Sequence, residues 1–470
     1  MKYVSTRGQA PVLSFEDVLL AGLARDGGLY VPESWPRLGK ADIRALAGRP
    51  YHEVAFAVMR PFIGDCLTDD ELHELLAETY DRFDHTTVAP LRQLGPGTWL
   101  LELFHGPTLS FKDYALQLVG RLFDIVLKRR GENNKITIVG ATSGDTGSAA
   151  IEACRDSDAI EIFMLHPKGR VSEVQRRQMT SVLSPNVHNI AIDGTFDDCQ
   201  DLVKGLFNDA EFRNRVNLSA VNSINWARIM AQIAYYFYAA VALGAPDRAV
   251  TFSVPTGNFG NIFAGYAARK MGLPIDRLIV GSNKNDILTR FFQSGVMETE
   301  TVQPTLSPSM DIQVSSNFER LLFEYYGRNG KQVAKVMERF RRTGKVDFGR
   351  ARWQRMNKLF AAHAVDDEQT KAAIAATHRD TGDLLDPHSA VGLVAGTACH
   401  DPKESPLISI ATAHPAKFPA AVKEATGIHP DLPASLADLY ERDERCVDHP
   451  NDMRALRDFM AVQLTKRASL

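Results

Sequence analysis

An α/β fold built on parallel sheets is predicted by three observations. An apolar run of strand length leads into a loop rich in Gly, Ser, Thr or Asn and then into a helical pattern, and this happens four times along the chain. Three further strand-length apolar runs lie between helical stretches. The 470 residues are 44% hydrophobic and 24% charged, an ordinary globular balance, and are too many for one core, so two or three domains are expected.

In chain order, residues 1–85 read as helix-rich, with a turn marked by the glycine pair and proline of DGGLYVP (26–32). The first unit of the repeated pattern is TWLLELF (98–104), the loop HGPTLS and a helix beginning near Phe111. The second is KITIVG (135–140), ATSGDTG and SAAIEACR, followed by strand candidates AIEIFML (159–165) and HNIAID (188–193). Ile229–Pro246 carries no charge, but its strictly apolar part, Ile233–Leu243, falls short of the roughly 20 residues a bilayer needs, so a buried core helix is expected. The third unit is AVTFSV (249–254), PTGNFGN and IFAGYAARKMG, followed by RLIVGS (277–282). Residues 300–380 open on QPTLSPSMD and continue as charged amphipathic stretches, predicting a helical insertion. PLISIA (406–411), TAHPAK and FPAAVKEATG form the fourth unit. In a parallel sheet, loops at the carboxyl ends of the strands line the ligand crevice, so the four polar loops are expected to converge.

Composition narrows the function classes. The 54 basic and 57 acidic residues leave a net charge of −3, which argues against nucleic acid as a partner. Five scattered cysteines without a C-x-x-C fit a reducing compartment better than a disulfide framework or a zinc site. Glu16 and Asp17 interrupt any apolar leader, so a cytoplasmic protein without membrane contact is expected. P-loop, dinucleotide, H-E-x-x-H and G-x-S-x-G motifs are all missing.

Each remaining motif has two readings. Lys112 opens a helix after a strand. It is either a surface lysine beside Asp113 or an amine turned into the crevice, with a lowered pKa and nucleophilic character. PTGNFGN (255–261) is either a tight turn or a phosphate cradle, in which Gly257 and Gly260 let backbone N–H groups and a helix dipole face one anion. In SGDTG (143–147), Asp145 or Thr146 could cap a helix. In NSINWAR (222–228), Ser223, Asn225 and Arg228 form either a cap with a surface arginine or a second anion site. Thr412 ends the last strand, and His414 is expected to be structural. A lysine, a phosphate cradle, hydroxyl-bearing loops and a second anion site together are what a pyridoxal phosphate enzyme requires.

GPTLSFKD, GATSGDTG, NSINWAR, PTGNFGN, PSMDIQVSSNFERLL, LDPHSAVG and ATAHPAKF resemble, in order and spacing, the signatures of the threonine synthase family, over residues 1 to about 430. MKYVSTRG and DGGLYVP look like its longer bacterial and fungal branch. The resemblance implies the tryptophan synthase β-like architecture of fold-type II pyridoxal 5'-phosphate enzymes. It implies an N-terminal extension domain (1–85), a large cofactor-binding α/β domain (86–112 and 226–470) and a small α/β domain (113–225). By the same resemblance Lys112 is the Schiff-base lysine, and Gly257, Asn258, Phe259, Gly260 and Asn261 bind the cofactor phosphate. Thr412 faces the ring nitrogen, and Asp145 stands where many relatives have an asparagine at the ring 3′-oxygen. Ser223, Asn225 and Arg228 would hold the substrate phosphate, Thr142 and Ser143 would lie near its carboxylate, and Lys168 is a further candidate.

The implied reaction converts O-phospho-L-homoserine and water into L-threonine and phosphate, the last step of threonine biosynthesis. No metal is expected, and the expected assembly is a monomer or loose homodimer. The competing readings are a threonine dehydratase-like lyase, whose substrate carries no phosphate, and a non-catalytic relative acting as a binding module.

Overall fold

The computed structural model describes residues 1–131, 135–219 and 223–468. The chain divides into two compact units, one of residues 1–115 and 223–431, the other of residues 116–222 and 432–470.

The first unit is built on a six-stranded sheet. Its spatial order is Phe360–Ala364, Ile275–Ser282, Val250–Pro255, Leu407–Ala411, Thr98–Glu102 and Leu91–Gly95, parallel throughout except for the last pair. Every residue of Val250–Pro255 and of Leu407–Ala411 is buried, which matches their unbroken apolar reading rather than an alternating one. The helix Trp226–Ala242 is apolar on nearly every side and buried along its length, as expected for the uncharged stretch. Among the described residues no helix is long and apolar enough to cross a membrane.

The second unit carries a five-stranded parallel sheet in the order Val447–His449, Val187–Ile192, Ile160–Pro167, Ile136–Ala141 and Leu218–Ser219.

The predicted strands fall in two sheets: three of the four polar loops follow strands of the first unit, while ATSGDTG follows a strand of the second. Three expectations need correction. Residues 432–470 do not belong with the large domain of 226–470. Val447–His449 pairs with Val187–Ile192, and Leu456 and Met460 pack with Ile190, Ile192 and Leu202. The segment 1–85 is not purely helical, because Lys2–Ser5 pairs antiparallel with both Leu13–Ser14 and Tyr30–Pro32. Nor is the 300–380 insertion. Lys345–Asp347 pairs with Val296–Glu298, and Phe360–Ala364 is an edge strand of the main sheet. The N-terminal strands and Lys345–Asp347 are only two to four residues long, too short for a period-2 pattern to register.

Candidate active site

Lys112 directly precedes the helix Asp113–Arg130 and is only 8% exposed, with its ammonium 5.0 Å from the centre of the Phe111 ring. It is therefore no surface lysine. Its neighbour Asp113 is fully buried and accepts from the Thr108 N–H and hydroxyl, both at 2.8 Å, fixing the turn from which Lys112 departs. The loop is stitched to the end of the adjacent strand. The Phe111 N–H donates to the Thr412 carbonyl at 2.8 Å and the His414 N–H to the Leu109 carbonyl at 3.0 Å, with Ser110 bridging Ala413. Lys112 and Thr412 are thus brought together by backbone pairing. His414 caps the following short helix, and burial pushes its imidazole down to about 4, so it stays neutral, in keeping with a structural role.

Thr412 is held from behind by LDPHSAVG. Its N–H donates to Ser389 Oγ at 3.0 Å, and the Ser389 hydroxyl donates to Asp386, a fully buried carboxylate. Asp386 also takes the His388 ring at 2.9 Å, and His388 Nε2 in turn accepts the Ser309 N–H at 3.2 Å. These orienting residues lie in a stretch quoted for its resemblance, yet no local chemistry in the sequence singled them out.

The PTGNFGN loop connects Val250–Pro255 to the helix Gly260–Lys270. The left-handed residue is Phe259, at φ 61°, and neither glycine has a positive φ. Gly257 is required by crowding instead: a Cβ there would lie 2.7 Å from the Ser309 carbonyl oxygen. The Phe259 ring is 1% exposed and packs edge-on against Phe318, so only its backbone can serve a ligand. From Gly257 to Ile262, six consecutive N–H groups donate to no acceptor among the described residues. Asn261 Oδ1 accepts from Tyr235 and Tyr236, while its buried Nδ2 has no partner among the described residues. Unmet donors at a helix N-terminus fit a phosphate.

Asn225 caps Trp226–Ala242 through the Ala227 N–H and donates its amide to the Leu19 carbonyl, so it shapes the loop. Asn222, which opens NSINWAR, lies outside the described residues. Arg228 is 3% exposed, and neither Nε nor Nη1 has a partner among the described residues. Burial lowers its pKa to about 10, which still leaves it cationic at neutral pH. A buried, uncompensated guanidinium is costly unless an anion meets it.

The 300–380 insertion clamps the two anion loops together. Asn317 Nδ2 donates to the carbonyls of Ser223 at 3.2 Å and Asn258 at 2.9 Å, and Ser315 donates to the Gly257 carbonyl at 2.7 Å. Arg320, fully buried, donates to Ile224, Tyr30 and Asn317. Next to it, Glu319 receives Thr6 and a two-pronged Arg7, which ties the N-terminal STRG to the same clamp. Sequence reasoning missed this role, since nothing local reveals that Asn317 and Arg320 reach residues some 60 to 290 positions away.

Within the second unit, Thr142 Oγ1 accepts the Gly144 and Gly147 N–H groups, while Ser143 is partly exposed. The expected cap by Asp145 or Thr146 is replaced by this hydroxyl, because Gly144 occupies the cap position. The Asp145 carboxylate accepts from Gln175 Nε2 at 2.7 Å. Lys168 is exposed and paired with Asp448 at 2.7 Å. No group of three or more metal-ligating side chains occurs among the described residues.

Comparison with known proteins gives a consistent picture. Residues 2–80 match the threonine synthase N-terminus model, residues 84–340 the pyridoxal-phosphate dependent enzyme model, and residues 389–460 the C-terminal threonine synthase model. A threonine synthase from Pseudomonas aeruginosa is 58% identical over 462 residues, covering 98% of both chains. One from Saccharomyces cerevisiae is 43% identical, covering 90% of this chain and 88% of its own. A PLP-bound threonine synthase structure from Brucella melitensis superposes with a TM-score of 0.96 at 52% identity, covering 98% of this chain and 99% of its own.

Proposed function

The chain belongs to the threonine synthase family, and from that premise we propose that it converts O-phospho-L-homoserine and water into L-threonine and phosphate, as a cytoplasmic pyridoxal phosphate-dependent lyase. The observation that carries the substrate assignment is the buried Arg228, whose Nε and Nη1 have no hydrogen-bond partner among the described residues. A dehydratase-like lyase acting on a substrate without a phosphate has no use for such a cation, whereas a departing phosphate compensates it.

Pyridoxal phosphate, when bound, supplies the electron sink for charge developing on the substrate carbon skeleton. The residues that would hold it are Lys112 at the aldehyde, the N–H array of Gly257–Ile262 with Asn261 Nδ2 at the phosphate, and Thr412 at the ring nitrogen. Asn258 and Phe259 contribute through their backbones. Lys112 Nζ serves as general base at the substrate α-carbon and returns protons later in the cycle, work typically worth about 10²- to 10⁴-fold. Arg228 holds the γ-phosphate as it leaves, with Ser223 beside it and Asn225 orienting the loop. By the family resemblance we assign Thr142 and Ser143 to the substrate carboxylate and Asp145, which accepts from Gln175, to the cofactor ring.

Release of inorganic phosphate from O-phospho-L-homoserine by the cofactor-loaded enzyme, with stoichiometric L-threonine, is the test. Formation of 2-oxobutanoate from threonine in its place would favour the dehydratase reading.

A further inference from the structure

A cavity of about 330 Å³ in the first unit lies at the opposite end of the helix Gly260–Lys270 from the cradle, and is lined by Arg37, Arg269, Lys270, Tyr325, Arg355 and Lys358 among others. Five cations from three separate stretches of chain therefore face one small space. Two of them, Arg269 and Lys270, stand in the last turn of a helix, where complementing the macrodipole explains them. That explanation does not reach Arg37, Arg355 or Lys358.

The nearby carboxylate, Glu324, is shared. It lies 3.8 Å from Lys270 and 3.4 Å from Arg328, and takes the Tyr266 hydroxyl at 3.5 Å. Among the described residues the side chains of Arg37, Arg269 and Lys358 make no ion pair, and Arg355 donates to the Tyr325 carbonyl at 2.7 Å. The convergence is built in, not a matter of loose side chains. The Leu38 N–H is bonded to the Met271 carbonyl at 2.8 Å, holding Arg37 over the helix end, and Arg355 lies over the Tyr325 ring. Four cations without a carboxylate partner, gathered at one concavity, repel one another unless an anion joins them.

We propose that this cleft is a second ligand site, distinct from the active site, that takes a small oligophosphate, either free or carried by a nucleoside. Its volume is at the small end of the range for small-molecule pockets, about 300–1,000 Å³. Several guanidinium and ammonium groups converging on one space suit two or three linked phosphates better than a single carboxylate.

The test is calorimetric titration of the cofactor-loaded enzyme with inorganic triphosphate and, separately, with ATP, at low and at physiological salt. We expect binding that weakens with salt and falls at least about tenfold in the Arg269→Glu/Arg355→Glu double variant. Both residues are exposed and outside the catalytic machinery, so turnover and melting temperature should stay near those of the parent. Lys358→Glu alone should weaken binding in the same direction. Equal affinity for the two probes assigns a bare oligophosphate, and tighter ATP binding a nucleotide. Affinity unchanged in the double variant, loss of binding in Arg228→Ala instead, or no binding by the parent would each overturn the proposal.

Discussion

Two regions of the first unit are suited to holding a phosphate, and they do so by opposite means. Between Gly257 and Ile262 the donors are backbone N–H groups with no charged side chain among them, left unmet because the helix starts there with its cap residue in a left-handed turn. At Arg228 the donor is a full charge, buried, with no hydrogen-bond partner at Nε or Nη1 among the described residues. A neutral cradle costs the empty protein little, since small ligands or water can serve its donors, whereas a buried cation destabilises the empty protein. The neutral site suits a group that stays through many turnovers. The charged one suits a group that arrives with each substrate, because its binding relieves the cost every time.

The largest expected effect comes from a change that touches neither region. Lys112→Ala should lower turnover by at least about 10²- to 10⁴-fold. If the two regions only bind, the variant still retains pyridoxal phosphate through dialysis and still takes up inorganic phosphate. Loss of phosphate binding in this variant would mean that the regions and the lysine are not separable.

Arg228 should show opposite signs in two measurements. Arg228→Met should lower kcat/KM on O-phospho-L-homoserine by about 10- to 150-fold, the value of a charge-assisted hydrogen bond. The same substitution should raise the melting temperature of the cofactor-free protein, by removing an uncompensated buried charge. A variant both slower and less stable would show that the guanidinium has a structural partner.

The contrast also explains what the sequence made legible. The seven strand-length runs lie where strands form, because fully buried parallel strands read as unbroken apolar stretches. Which strands share a sheet was not legible, since pairing joins residues such as Ser253 and Ser409 that no local pattern links. The return of Val447–His449 to the second unit was hidden for the same reason, with two of its three residues exposed. PTGNFGN was found through its glycines, but the left-handed residue is a phenylalanine anchored in an aromatic cluster. NSINWAR suggested an anion site, yet only packing decides whether an arginine at that position is buried or solvated.

The glycines sharpen the neutral side. Gly257→Ala should destabilise the cofactor-free protein by about 1–3 kcal/mol, since its Cβ meets the Ser309 backbone. Gly260→Ala should cost less than about 1 kcal/mol, because the nearest atoms lie at an ordinary 3.4 Å. Chemical denaturation of both variants checks the ranking. The reverse order would place the backbone constraint at Gly260.

The smallest expected effect separates the two regions by pH. Burial lowers the Arg228 pKa to about 10, and deprotonation removes its charge, so phosphate binding there can weaken only as pH rises through that value. The parent's KM for O-phospho-L-homoserine should therefore be nearly flat from pH 7 to 9. Lysine starts from an ordinary pKa of about 10.4, and the same burial pushes it lower still. In Arg228→Lys the charge should be lost within the accessible range, and KM should rise severalfold between pH 7 and 9. Pyridoxal phosphate retention should not follow, because backbone N–H groups do not titrate there and the cofactor phosphate, with a second pKa near 6, is already a dianion. Parallel changes in KM and cofactor retention would mean that one site, not two, holds both phosphates. A flat KM in Arg228→Lys would show that the position is solvated enough to keep a lysine charged, and the charged half of the contrast would fall.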